Sequence, residues 1–214
     1  LTVEHPDYSN LAARIKANAL HKETPGFVIA TKNLYEDGLL KEEYYNKVIA
    51  NAESIESIID YDRDYNFDYF AFTTLIRAYL LKFENKTIER PQDLWMRVAL
   101  TVSSGDDFVI SKVKETYNSL SNGLYTHATP TLFNSGLKMQ QLSSCFLIAM
   151  EDDSIDGIFN TIKDCALISK TAGGIGMHAH NIRGSGSRIK STNGKSNGLI
   201  PFLKIFNETA KSVD

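Results

Sequence analysis

Cys145 stands directly after Ser143-Ser144 in an apolar run, Gln141-Leu-Ser-Ser-Cys-Phe-Leu-Ile-Ala-Met150, which leads at once into Glu151-Asp-Asp-Ser154. A thiol displayed beside two hydroxyls suits a redox or substrate pocket, because the thiolate is both nucleophile and reductant. Taken alone, a single such cysteine is more often a small packed hydrophobe than a functional thiol. Asp153 and Ser154 precede a helical pattern, where either side chain can cap free N–H groups, and such an N-terminal turn also presents donors to a polar ligand. Lys170 ends that helix and Arg183 opens a basic, glycine-rich stretch running to Gly198. A lysine in a last helical turn needs no ligand, yet a lysine point charge and an arginine fork together suit a polyphosphate. The stretch 183–198 lacks the G-x-x-x-x-G-K-[ST] order of a P-loop, so by itself it reads as a mobile surface loop. Thr129, in a segment before the first strand, and Ser144, at its entry, carry hydroxyls that commonly bond to nearby backbone.

Two tempting constellations lack completion. His178 and His180 alternate along a strand pattern and share a face, but nothing nearby supplies further Cys or His ligands, so no metal site is expected. Cys145 with His127 has no third, orienting residue for a thiol-protease arrangement. Cys165 falls in the middle of a helical pattern and reads as a buried small side chain.

The elements that must position these residues follow from periodicity. Pro6 to about His21 carries Leu11, Ala12, Ile15 and Ala19 at helical spacing. A second helix is expected over about 67–83, with Tyr69, Phe72, Ile76, Tyr79, Leu80 and Phe83 as a core stripe. Pro91 opens a third, whose expected buried face is Leu94, Trp95, Val98 and Val102, with Ser103-Ser-Gly105 as its stop. A fourth runs from about Phe108 to before Asn122-Gly123. After Gly136 the pattern changes: Leu142–Met150 reads as a strand covered on both faces, and a helix over about 155–170 follows with Ile155, Ile158, Phe159, Ile162 and Ala166 on one side. A strand over 174–180, the loop, and a helix presenting Leu199, Phe202, Leu203, Phe206, Ala210 and Val213 complete the start of a parallel α/β layout.

Composition bounds the function. The chain has 214 residues, 43% hydrophobic, enough for a real core, and a net charge of −3 argues against a general DNA or RNA binder, whose phosphate contacts need concentrated Lys and Arg. No apolar run approaches the roughly 18 to 20 residues of a membrane span. Two cysteines are too few for a disulfide framework and suit a reducing, cytoplasmic compartment.

His127-Ala-Thr-Pro-Thr-Leu-Phe-Asn134, Gln141-Leu-Ser-Ser-Cys145, Ser169-Lys-Thr-Ala-Gly-Gly-Ile-Gly176 and Thr192-Asn-Gly-Lys-Ser-Asn-Gly198, in this order, resemble the large subunit of class I ribonucleotide reductase. The resemblance covers essentially the whole chain and is strongest from about Gly123 onward. It implies an α + α/β fold: a helical N-terminal domain, then the first strands and helices of a ten-stranded α/β barrel. Residues 1–20 would be the end of an ATP-sensing N-terminal region, 21–140 the helical domain, and 141–214 the start of the barrel with its effector loop. The chain is accordingly expected to be an N-terminal fragment, without turnover of its own.

What the resemblance implies about chemistry is specific. The family reduces ribonucleoside diphosphates to deoxyribonucleoside diphosphates: a thiyl radical removes the 3′ hydrogen, the 2′ hydroxyl leaves as water, and a redox cysteine pair reduces the intermediate. Cys145 matches one member of that pair, while the radical-bearing cysteine and the second partner have no counterpart here. Thr129 and Ser144 match substrate contacts. Asp153, Ser154, Ile155, Lys170, Arg183, Ile189, Lys190, Ser191 and Ser196 match the site of a deoxynucleoside triphosphate or ATP effector, with Asp153 accepting from the ribose 3′ hydroxyl and Lys170 and Arg183 on the phosphates. Lys190-Ser191 stands where relatives commonly carry a small residue and glycine, and Arg188 adds charge. The implied partners are a second large subunit, paired through the helices after Asp153 and Gly198, and a small subunit carrying a radical metal cofactor. Magnesium would accompany the effector, thioredoxin or glutaredoxin would re-reduce the pair, and this chain would hold no covalent cofactor. The alternative is a non-catalytic nucleotide-binding regulatory module, which needs Lys170 and Arg183 but not Cys145.

Overall fold

The computed structural model describes residue 5 and residues 7–103 and 108–213, which fall into two compact units, Leu1–Gln141 and Leu142–Asp214. Pro6 and Ser104-Gly105, expected as helix punctuation, lie outside the described residues.

The first unit is helical. Its elements are α1 (Asp7–Glu23), α2 (Phe27–Glu36), α3 (Glu42–Ala50), α4 (Ala52–Glu56), a 3-10 turn (Tyr61–Asn66) and α5 (Tyr69–Thr74), which runs into a π-helical turn (Leu75–Tyr79). A short hairpin of β1 (Lys82–Phe83) and β2 (Lys86–Thr87) precedes α6 (Pro91–Val102), α7 (Ile110–Ser121) and α8 (Thr129–Asn134). The expected helix over 67–83 therefore stops short. Leu80 leaves the helical path, the buried Glu89 carboxylate accepts from the Leu81 N–H, and Glu84 and Asn85 turn the hairpin with φ of 48° and 64°. A primed turn demands those positive φ values, and no glycine announced them.

Helix α1 buries a different face from the one expected. Ala13, Ala17 and Leu20 face the core, whereas Leu11 is 53% and Ile15 63% exposed. The alanines lie at the same helical spacing and allow close approach to α5, which α1 packs against.

Helix α6 is the centre of the unit: every residue from Pro91 to Leu100 is buried, while Val102, expected on the buried face, is exposed in the last turn. A helix buried all round must satisfy its polar side chains internally. Arg97 donates from Nε and Nη2 to the Glu89 carboxylate at 2.6 and 3.1 Å, and from Nη1 to the Ser135 carbonyl at 2.8 Å. Gln92 donates to Asp64 at 3.0 Å and accepts from the Tyr117 hydroxyl at 2.8 Å. Asp93 accepts from the Tyr61 hydroxyl and from the Arg90 N–H. Burial pushes the Asp93 carboxyl up to about 7.

The second unit is a β-α-β arrangement followed by a helix: β3 (Cys145–Ala149), α9 (Ile155–Ser169), β4 (Gly174–His178) and α10 (Ile200–Val213). The two strands pair in parallel, Cys145 opposite Gly174 through Ala149 opposite His178, as a helical crossover between them requires. Met150, Ile158 and Ile162 form its small buried core, with Met177, Ile182, Phe202 and Phe206 packed against it. The strand expected to be covered on both faces is covered on one. Phe146 and Ile148 are half-buried, but Leu147, on the other face with Cys145 and Ala149, is 94% exposed because α9 and α10 supply a layer to only one side. The stripes of the two helices divide likewise: Ile158, Ile162, Phe202 and Phe206 pack inward, while Ile155, Phe159, Leu203 and Val213 stay open to solvent.

Candidate functional site

The N-terminus of α9 is built around Ser154. Its hydroxyl accepts from the Gly157 N–H at 3.0 Å and donates to the Asp152 carboxylate, so the serine is the cap. Glycine is required at 157, since an added Cβ would lie 2.8 Å from the Asp152 backbone nitrogen. Asp153 is left free of capping and turns to Arg183. The guanidinium donates from Nε to the Asp153 carboxylate at 2.5 Å and from Nη2 to the Asp153 carbonyl at 3.0 Å, with both side chains half-buried.

The stretch after Arg183 is not a shapeless loop. Gly186 N–H donates to the Ser196 carbonyl, Ser196 N–H to the Ser187 carbonyl and Ile189 N–H to the Gly194 carbonyl, each at 2.8 Å, and Arg188 bridges Lys195 in antiparallel fashion. Asn193 takes the left-handed conformation that closes this hairpin, at φ 58°. Gly198 ends the stretch at φ 75°, where a Cβ would lie 2.9 Å from the Ser185 nitrogen.

Between the hairpin and the start of α9 lies a cavity of about 710 Å³, the size of a nucleotide-class ligand. Asp153, Ser154, Ile155, Arg183, Ile189, Lys190, Ser191 and Ser196 all line it. Its wall sets three cations, Arg183, Arg188 and Lys190, against the single carboxylate of Asp153, and Ile158, Ile182 and Phe202 supply apolar surface. The last three went unrecognised as site residues in the sequence, where Ile158 and Phe202 read as apolar helix faces and Ile182 carries no signal. Lys170 is not among the lining residues: it is exposed and follows the last residue of α9, about 20 Å along a 15-residue helix from Asp153.

Cys145 is exposed at the start of β3. Opposite it, Gly174 donates its N–H to the Ser144 carbonyl at 2.7 Å, and a Cβ there would lie 3.3 Å from that carbonyl oxygen and in ordinary contact, 3.9 Å, with the Cys145 sulfur. Ser144 is exposed beside it. Thr129 belongs to the first unit, where it opens α8 with its hydroxyl 3.4 Å from that of Tyr79. Cys165 is half-buried beside a second cavity, and burial pushes its thiol up. His178 and His180 share a face with their Nδ1 atoms 2.8 Å apart. Among the described residues no group of three or more His, Cys, Asp or Glu is placed to hold a metal ion.

The family profile described as ribonucleotide reductase, all-alpha domain, matches residues 65–140, and that described as ribonucleotide reductase, barrel domain, matches residues 143–214. The chain belongs to the ribonucleotide reductase large-subunit family. Its two units are thus a helical N-terminal domain and the start of the barrel domain, with two paired strands and no closed barrel among the described residues. Similar over the whole of this chain are the ribonucleoside-diphosphate reductase large chain 2 of Saccharomyces cerevisiae, 50% identical, and the large subunits of Arabidopsis thaliana, 47% identical, and Dictyostelium discoideum, 48% identical. The chain covers 25%, 27% and 25% of those proteins respectively, so it spans about a quarter of the length of the relatives it matches. Among the described residues no helix is long and apolar enough to cross a membrane.

Proposed function

We propose that this chain is the effector-binding and substrate-entry part of a large subunit that reduces ribonucleoside diphosphates to deoxyribonucleoside diphosphates. The observation that carries the reading is the convergence of the α9 N-terminus, Arg183 and the 187–196 hairpin on one basic cavity of nucleotide size. There a deoxynucleoside triphosphate or ATP is bound, with Arg183, Arg188 and Lys190 meeting phosphate, Asp153 meeting a sugar hydroxyl, and Ile155, Ile189, Ser191 and Ser196 enclosing the rest. The cavity's one carboxylate is already paired with Arg183, so magnesium arrives as the nucleotide's own counter-ion rather than as a resident of the protein.

Lys170, a helix length from Asp153 in its own chain, serves the equivalent cavity of a second copy. The open apolar residues of α9 and α10 support that homodimer, because Ile155, Phe159 and Leu203 are exposed large hydrophobic side chains. Cys145 is one half of a dithiol on the open face of the strand pair, with Ser144 and Thr129 as substrate contacts. As the two thiols join in a disulfide they give up two electrons and two protons, and the 2′ hydroxyl departs as water. A separate small subunit supplies the radical from its metal cofactor, and thioredoxin or glutaredoxin restores the dithiol. Free thiols at Cys145 and Cys165 suit the reducing cytoplasm, and α1 contributes the end of an ATP-sensing region at residues 1–20.

Calorimetric titration tests the binding claim: a deoxynucleoside triphosphate binds the chain, and Arg183→Ala removes most of that affinity. Equal binding by both proteins contradicts it.

A further inference from the structure

A separate cavity of about 490 Å³ lies wholly within the helical unit, where the end of α7 meets the 3-10 turn at Tyr61–Asn66. Its size suits a small organic ligand. Phe67, Trp95 and Tyr125 give it aromatic surface, which favours a flat ring. The polar atoms of its wall divide unequally between acceptors and donors. Carbonyls in the last turn of α7 are already taken: Asn118 accepts from the N–H and Nδ2 of Asn122, Ser119 from the Leu124 N–H and Leu120 from the Gly123 N–H. Donors are left over. Arg63 donates from Nε to Asp60 and from Nη1 to Asn118 and Ser121, while among the described residues its Nη2 makes no hydrogen bond. Trp95 is 7% exposed, and among the described residues its Nε1–H is buried without a partner. An unpaired buried donor is costly, so an acceptor brought beside it stabilises the wall. Charge is less welcome than an acceptor, because Asp60 already offsets the Arg63 guanidinium at 3.0 Å and a helix C-terminus disfavours anions.

We propose that this cavity is a binding site for a neutral, flat heteroaromatic ligand that accepts hydrogen bonds. Its ring lies among Phe67, Trp95 and Tyr125, and its acceptor meets Arg63 Nη2 or, by a small tilt of the indole, the Trp95 N–H. A ligand of the same shape that only donates finds no such partner on these two side chains. The inference is independent of the nucleotide reading of the cavity beside α9, and either can fail without the other.

The test titrates quinoline and indole into the whole chain, two flat bicycles of similar size of which the first accepts through its ring nitrogen and the second only donates. Trp95 is the one tryptophan of the sequence, so a single indole N–H signal in NMR reports on the wall directly. Quinoline binds about tenfold more tightly than indole, the size of one hydrogen bond to a buried donor, and shifts that signal and the amides of residues 120–126 saturably. Trp95→Phe and Arg63→Met remove the two donors one at a time, and at least one of them brings the preference below about twofold. Equal binding of the two probes by the unaltered chain overturns the proposal, as does a preference that survives both substitutions. Shifts that bypass both the indole signal and residues 120–126, or no binding of quinoline at millimolar concentration, overturn it as well. The two-probe comparison needs no variant, so a poorly folding Trp95→Phe does not shield the claim.

Discussion

Arg97 and Arg183 each pair with a carboxylate, yet one side chain is 2% exposed in the middle of the helical unit and the other 34% exposed at the edge of a cavity. Around Arg97 each of the three nitrogens donates: Glu89 takes bonds from Nε and Nη2, and the Ser135 carbonyl takes one from Nη1. Around Arg183 the contacts come from one residue, Asp153, and face open space. The difference teaches what each unit is built for. The first pairs its buried charges with one another, although among the described residues Tyr44, Trp95 and His127 each keep a buried polar atom without a partner, whereas the second leaves a cation, a thiol and two apolar helix faces exposed.

Substitutions that remove one arginine at a time break or sharpen this contrast. Arg97→Met destabilises the chain by about 3–5 kcal/mol in urea denaturation, because Glu89 is left charged and buried. Asp93→Asn tests the same closed core through pH. The folded-state value of Asp93 lies near 7, above its ordinary 3.8, so the folded protein holds this proton where the unfolded chain has lost it. Its contribution to stability is full below pH 4 and is lost as pH rises through 7. Melting curves between pH 4 and 8 should therefore show Asp93→Asn gaining stability relative to the unaltered chain as pH rises; a constant difference would mean that Asp93 is ionised throughout.

Effects in the second unit are smaller on stability and larger on binding. Ser154→Ala costs about 1 kcal/mol, a helix cap, and denaturant midpoints measure it. Arg183→Ala costs under about 1 kcal/mol because its pair is partly solvated, while nucleotide affinity falls at least about tenfold. Phe159→Ser changes stability by less than about 0.5 kcal/mol, as an exposed position should. Sedimentation then reports whether self-association in the presence of nucleotide is lost with it. A stability loss as large as that of Arg97→Met at either Arg183 or Phe159 would erase the distinction between the units.

Much of this was legible in the sequence, and the failures have physical causes. Pro91 at the first turn of α6 and the periodicity of α7 and α9 placed those helices to within a few residues. The four ordered motifs led to the family. The face of α1 was misread because its larger side chains, Leu11 and Ile15, outweighed the alanines that make the contact. The end of the helix over 67–83 was hidden because the Glu84-Asn85 turn carries no glycine and the buried Glu89 that captures Leu81 lies outside any local pattern. In the site, a cap could be narrowed to Asp153 or Ser154 but not assigned, since the choice depends on Arg183, 30 residues further along the chain. The order within the 187–196 hairpin was likewise invisible, because it rests on backbone hydrogen bonds rather than on side-chain types.

The central claim is that the cavity beside α9 binds a nucleotide, and amide NMR during titration with a deoxynucleoside triphosphate tests it most directly. The account predicts saturable shifts at Ser154 to Gly157 and along 183–196, with the amides of α6 unmoved. Absence of shifts at saturating nucleotide, or shifts confined to the helical unit, would contradict it.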